Sequence, residues 1–180
     1  MTHSLSTPGS LDALLDRPML VPALIVAISL SALGTAWAAQ VWGGIYPCVL
    51  CIYQRYAYGA AMAFGLAGLA LGNWPAARRG AVALAGLAFL TGAGIAAFHV
   101  GVEQQWWRGT AECHAPSFDF NASATALREQ LLNRRFVPCD QVPWSLFGIS
   151  IAGYNVLASL TFAFASLWAA WRMNRAEGHR

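Results

Sequence analysis

Residues 19–39, 50–71, 80–102 and 144–170 contain between them a single charged side chain, Arg55, and no other property of the sequence narrows the possible folds as far. At a rise of about 1.5 Å per residue, some 20 apolar residues in a helix cross a hydrocarbon core about 30 Å thick. Each run is therefore expected to be a transmembrane helix. The chain then reads as all-α, an integral membrane four-helix bundle in one domain, residues 1–180. Composition agrees, with 57% hydrophobic and 11% charged residues and a mean hydropathy of +0.47, where a soluble domain carries about 25% charge. Residues 1–17 are short and polar and are expected to be a cytosolic tail. Ala36-Trp37-Ala38 has the small-x-small form of a signal cleavage site. The apolar run is longer than a usual signal core and only Arg17 flanks it, so it is expected to stay as the first helix.

Two loops, residues 40–49 and 103–143, then share one side of the membrane. The first carries Trp42, Gly43, Gly44 and Tyr46, turn formers and interfacial aromatics suited to the headgroup level. The second is the only long hydrophilic segment. In it Ala124, Leu127 and Leu131 recur at i, i+3 and i+7, a pattern for a short amphipathic helix over Ser123–Leu132 lying on the bilayer. Arg17, Arg78, Arg79, Arg172, Arg175 and Arg180 collect on the other side. By the positive-inside rule that side is cytoplasmic and both termini lie there. The long loop, with four arginines against five acids, belongs outside. A net charge of +3 is too small to argue for nucleic acid.

All four cysteines fall on the outer side, where disulfides persist. Cys48 and Cys51 form a Cys-x-x-Cys pair at the mouth of the second helix. Arg55 follows four residues after Cys51, so in a helix the three share a face at spacings of about 5 to 6 Å. A helix N-terminus and a nearby guanidinium both favour a thiolate. An arginine at this shallow depth can also snorkel as an interfacial anchor. Zinc would need a second close pair, and Cys113 and Cys139 are far apart, so no metal is expected. Cys48 with Cys51 and Cys113 with Cys139 are the chemically natural pairings, although four cysteines permit three connectivities. A fixed pair at the membrane and a pair on a loop suit an electron relay. His99, near the end of the third run, lies on the cysteine side. Gly68, Gly72, Gly92 and Ala96 make small-x-x-x-small pairs that let helices approach closely.

Pro47-Cys48-Val49-Leu50-Cys51-Ile52-Tyr53-Gln54-Arg55, with Cys113, Cys139 and the downstream Trp144, resembles the disulfide bond formation protein B (DsbB) family over essentially the whole chain. The route from DsbA through DsbB to quinone is the established example of how a bacterial periplasm is kept oxidising, and it comes with the resemblance alone. The resemblance implies an inner-membrane protein-disulfide oxidoreductase that reoxidises a periplasmic DsbA-like thioredoxin-fold protein and passes the electrons to a membrane quinone, ubiquinone or menaquinone. It implies that Cys113 is attacked by the partner's thiolate, that Cys139 re-pairs, and that Cys48 and Cys51 receive the electrons, with Cys51 meeting the quinone. Arg55 and His99 match positions near the quinone, and Gln54 stands where related sequences often carry an acid. The vitamin K epoxide reductase type also pairs thiols with a quinone, but there the loop cysteines precede the helical pair. A structural or binding membrane protein whose disulfides only staple loops is the alternative outside enzymes.

Overall fold

The structure, a computed structural model, describes residues 19–113 and 137–178 together with Ser123, Thr125 and Arg128. Four long helices carry it: α1, Leu20–Val41; α2, Val49–Ala70; α3, Pro75–Glu103; and α4, Ile151–Gly178. α1 stops where Trp42 and Gly43 lead to Gly44 at φ 65°, a left-handed turn that glycine adopts without steric cost. α2 opens on Cys48, whose sulfur accepts from the Cys51 N–H in the place where a serine or aspartate oxygen usually caps. α1, α3 and α4 are long and apolar enough to cross a membrane. α2 matches α1 at 22 residues but carries Gln54, Arg55 and three tyrosines on its length. The protein is a multi-pass, all-α membrane bundle.

Two boundaries differ from the sequence reading. α3 begins at Pro75 and not at residue 80, because proline preset at φ near −65° starts a helix well and its missing N–H has no partner to lose there. Arg78 thus enters the helix and its guanidinium donates to the Gly72 carbonyl at 2.6 Å. α4 begins at Ile151 and not at residue 144, because a small hairpin takes the residues between. Its strands β1, Ser145–Leu146, and β2, Ile149–Ser150, pair antiparallel. Phe147 and Gly148 turn between them at φ 50° and 78°, the double left-handed turn that matches strand twist. The expected amphipathic helix over Ser123–Leu132 lies outside the described residues apart from Ser123, Thr125 and Arg128.

α3 packs along both α2 and α4, while α1 lies mainly on α2. The packing is inside-out relative to a soluble protein. Small residues fill the interior, among them Ala61, Ala85 and Ala96, while Leu24, Leu66, Leu84, Leu87, Leu157 and Phe164 point outward. Lipid is as apolar as leucine, so helices gain by close backbone approach and not by hiding leucines. A Cβ on Gly92 would lie 3.1 Å from the Ala57 Cβ of α2, and one on Gly68 would meet Pro22 of α1 at 3.2 Å. Around these contacts Ile25, Tyr58, Val82, Phe89 and Ala163 form the central core. The chain direction brings the end of α1, the starts of α2 and α4 and the end of α3 to one end of the bundle. That end holds the cysteines.

Candidate thiol redox site

Cys48 and Cys51 are free thiols, the first buried and the second half-exposed. Their sulfurs are 3.1 Å apart. Cys48 accepts from the Cys51 main chain, and the His99 ring faces it as well. The Cys51 backbone N–H lies 3.4 Å away and the His99 Nε2 3.5 Å away. Cys48 precedes α2, at the positive end of its dipole. The Cys51 thiol first, and then His99 and the Cys51 N–H, hold the Cys48 thiol well below the usual thiol range, against the opposing effect of burial.

Cys113 and Cys139 are joined in a disulfide with their Cα atoms 5.1 Å apart. It is fully buried, in one apolar cluster with Cys48, Leu50 and Val102. The Cys139 main chain also lies close to the His99 ring. Local contacts hold the loop here. Trp107 stacks on Phe98 and donates from Nε1 to the Phe98 carbonyl at 3.0 Å. Tyr53 of α2 donates to Glu112 at 2.7 Å, in the short 3-10 turn Ala111–Cys113. A Cβ on Gly109 would sit 2.8 Å from the Cys113 Cβ, so only glycine lets the chain pass this close to the disulfide.

Behind the thiols a polar chain runs into the bundle. Gln54 Nε2 donates to the Leu50 carbonyl at 3.2 Å and lies 3.1 Å from His99 Nδ1. Asn155 Nδ2 of α4 donates to Gln54 Oε1 at 2.6 Å. Tyr58 and Ser159 both donate to Asn155 Oδ1, at 2.8 and 3.1 Å. On the other side of the ring, Glu103 Oε1 lies 3.9 Å from His99 Nε2, and the Ser150 hydroxyl donates to the other carboxylate oxygen. Buried polar groups in a membrane are costly unless paired, and these pair with one another.

The six residues singled out from the sequence thus divide. Cys48, Cys51 and His99 meet, with their donor atoms within 4.8 Å of one another, a set of two sulfurs and a nitrogen that could also hold a soft cation. Cys113 and Cys139 join and pack beside them. Arg55 turns toward α1, donating from Nη1 to Gln40 Oε1 at 2.9 Å and from Nη2 to the Ala36 carbonyl at 3.2 Å. Sequence reasoning missed Gln40, Glu103, Ser150, Asn155, Tyr58 and Ser159, and it noted Gln54 only as standing where related sequences often carry an acid. A signal was present. Gln54 with Tyr58, His99 with Glu103 and Asn155 with Ser159 are all i, i+4 polar pairs in otherwise apolar helices, and such pairs face a bundle interior. Two open clefts of about 420 and 460 Å³ lie at the opposite end, around Arg79 and Trp74, and among the described residues no thiol, imidazole or carboxylate lines them.

A membrane helix bundle with an open cysteine pair packed beside a closed disulfide falls in the class of membrane disulfide-forming redox proteins. Residues 18–169 match the family model described as disulfide bond formation protein DsbB, and the chain belongs to that family. A disulfide bond formation protein B of Methylobacillus flagellatus is 33% identical over 135 residues, covering 72% of this chain and 79% of its own. Its counterpart in Aromatoleum aromaticum is 29% identical over 153 residues, covering 81% and 89%. One from Xanthomonas axonopodis pv. citri is 28% identical over 145 residues, covering 78% and 83%. No solved structure matches the chain.

Proposed function

We propose that this disulfide bond formation protein is a thiol:quinone oxidoreductase of the bacterial inner membrane, which reoxidises a periplasmic DsbA-like thioredoxin-fold dithiol protein. The cysteine end faces the periplasm and the arginine-rich end the cytoplasm. The single observation that carries the reading is that a closed disulfide, Cys113–Cys139, and an open dithiol, Cys48 and Cys51, share one buried cluster. Disulfides that only stapled loops would leave no dithiol open on a helix end.

The electrons balance in three exchanges, each moving two. The partner's thiolate attacks Cys113, and its second thiol closes the partner disulfide, leaving Cys113 and Cys139 reduced. That dithiol reduces a Cys48–Cys51 disulfide and itself closes again, which is the state of this structure. The Cys48 thiolate and the Cys51 thiol then give up two electrons and the one proton that Cys51 holds, and re-form their disulfide. A bound quinone would accept the electrons and that proton, its second proton coming from water. The residues present fit such a group: Cys51 is the half-exposed sulfur, and Arg55, one turn along α2, brings N–H donors that Gln40 and Ala36 orient. Cys48 is the sulfur kept as thiolate inside, and it closes on Cys51. Purified protein in lipid, given a reduced thioredoxin-fold donor and ubiquinone or menaquinone, should form quinol continuously. A protein that only staples its loops shows no turnover.

A further inference from the structure

The orientation of the Gln54 and Asn155 amides is fixed by one group that cannot donate, the Leu50 carbonyl. Gln54 must turn its NH2 toward that oxygen, at 3.2 Å, so its Oε1 points away and accepts from Asn155 Nδ2 at 2.6 Å. Asn155 in turn keeps its own Oδ1 for the hydroxyls of Tyr58 and Ser159. The second hydrogen of the Gln54 NH2 is then aimed at His99 Nδ1, 3.1 Å away. A nitrogen that accepts carries no hydrogen, and a neutral imidazole must then hold its hydrogen on the other nitrogen. That nitrogen, Nε2, faces Cys48 Sγ at 3.5 Å.

We propose that Gln54, braced by Asn155, Tyr58 and Ser159, is a positioning residue that locks His99 as a neutral Nε2–H donor to the Cys48 sulfur. The proposal rests on the thiol chemistry assigned above and deepens it, because it gives His99 a defined role there. His99 stabilises a thiolate without taking its proton. Glu103 lies on the far side of the ring, 3.9 Å from Nε2, and is held by the Ser150 hydroxyl. The titratable and charged groups facing Cys48 are Cys51 at the start of α2 and His99 with Glu103 behind it on α3. Arg55 approaches Cys51 from the next turn of α2, and the loop contributes the Cys113–Cys139 disulfide, which does not titrate.

The test needs neither partner nor quinone. In protein labelled with ¹⁵N-histidine, held in lipid with the loop disulfide closed and Cys48 and Cys51 reduced, His99 should show a protonated Nε2 and a bare Nδ1. A protonated Nδ1 overturns the proposal without any variant having to fold. Site-resolved alkylation of Cys48 by iodoacetamide across pH gives the second readout. Gln54→Leu should raise the Cys48 midpoint by about one pH unit, a tenfold fall in thiolate fraction below it. His99→Gln keeps an N–H donor but has no tautomer to lock, so on that background Gln54→Leu should add no shift. A shift that persists there shows that Gln54 acts on Cys48 by some other route and sinks the proposal. If the tautomer is as expected and the protein forms no quinol, the proposed function fails and the positioning of His99 stands.

Discussion

The two ends of the bundle are held together by different forces. At the arginine-rich end and through the middle, Ala85, Val82, Phe89 and Ala163 pack by shape, with glycines where two backbones come close. At the cysteine end Cys48, His99, Gln54 and Asn155 are joined by hydrogen bonds whose direction matters, and Ser150 donates to Glu103 beside them. Dispersion contacts are weak singly and have no sign, so a similar shape can replace them. A hydrogen-bonded chain fails at any member that turns the wrong way, because an unpaired buried polar group costs more than the bond was worth. The contrast teaches where chemistry can be built: a packed end supplies rigidity, and a directional end sets which atom carries a proton.

The largest expected break of this comparison is Cys139→Ala, at the cysteine end. Turnover with a reduced thioredoxin-fold donor should fall to background and a mixed disulfide should accumulate through Cys113. Peptide mapping that finds the adduct on Cys48 or Cys51 would reverse the assigned direction of electron flow. The bundle itself should persist.

At the packed end the opposite is expected. A Cβ on Gly86 alone would lie 2.8 Å from Leu167 Cγ of α4, so Gly86→Leu should cost roughly 1 to 3 kcal/mol of stability by overpacking. Quinone KM should stay as it was. A changed KM with unchanged thermal stability would mean that the two ends are not separable.

Arg55 sharpens the comparison, since it joins the two kinds of contact by tying α2 to α1. Arg55→Met keeps length and loses the fork, and it should raise the KM for quinone roughly tenfold, about 1.4 kcal/mol. Arg55→Lys should recover only part, because an ammonium cannot reach Gln40 and the Ala36 carbonyl with a planar fork. If KM holds while the fraction inserted in the membrane drops, Arg55 is an interfacial anchor. The smallest effect is assigned to Ser150→Ala. It removes one donor from Glu103 and should cost about 1 kcal/mol in denaturant unfolding, with the loop disulfide still closed by mass.

Much of the site was legible in the chain because its signals are local. Cys-x-x-Cys, the arginine one turn on and four cysteines on one side all follow from spacing and hydropathy. The pairing of Cys113 with Cys139 was one of three connectivities until the fold placed the two Cα atoms 5.1 Å apart. The start of α4 was misplaced for a similar reason. Trp144 to Phe147 are apolar enough to pass for helix, and only the left-handed pair Phe147 and Gly148 reveals a hairpin.

By itself the sequence determined that this is a membrane bundle, since about 20 uncharged residues must be buried in lipid whatever their neighbours are. It also determined the redox class, since thiol chemistry belongs to the cysteines themselves. Only the tertiary structure decided what surrounds those thiols. Gln54 and Asn155 are 101 residues apart, and Cys48 and His99 are 51 apart. Helical periodicity places each on a face of its own helix, but it does not say which face meets which. That register is set by the close contacts of the small residues, Gly92 on Ala57 and Gly68 on Pro22, and the hydrogen-bond directions at the thiols follow from it.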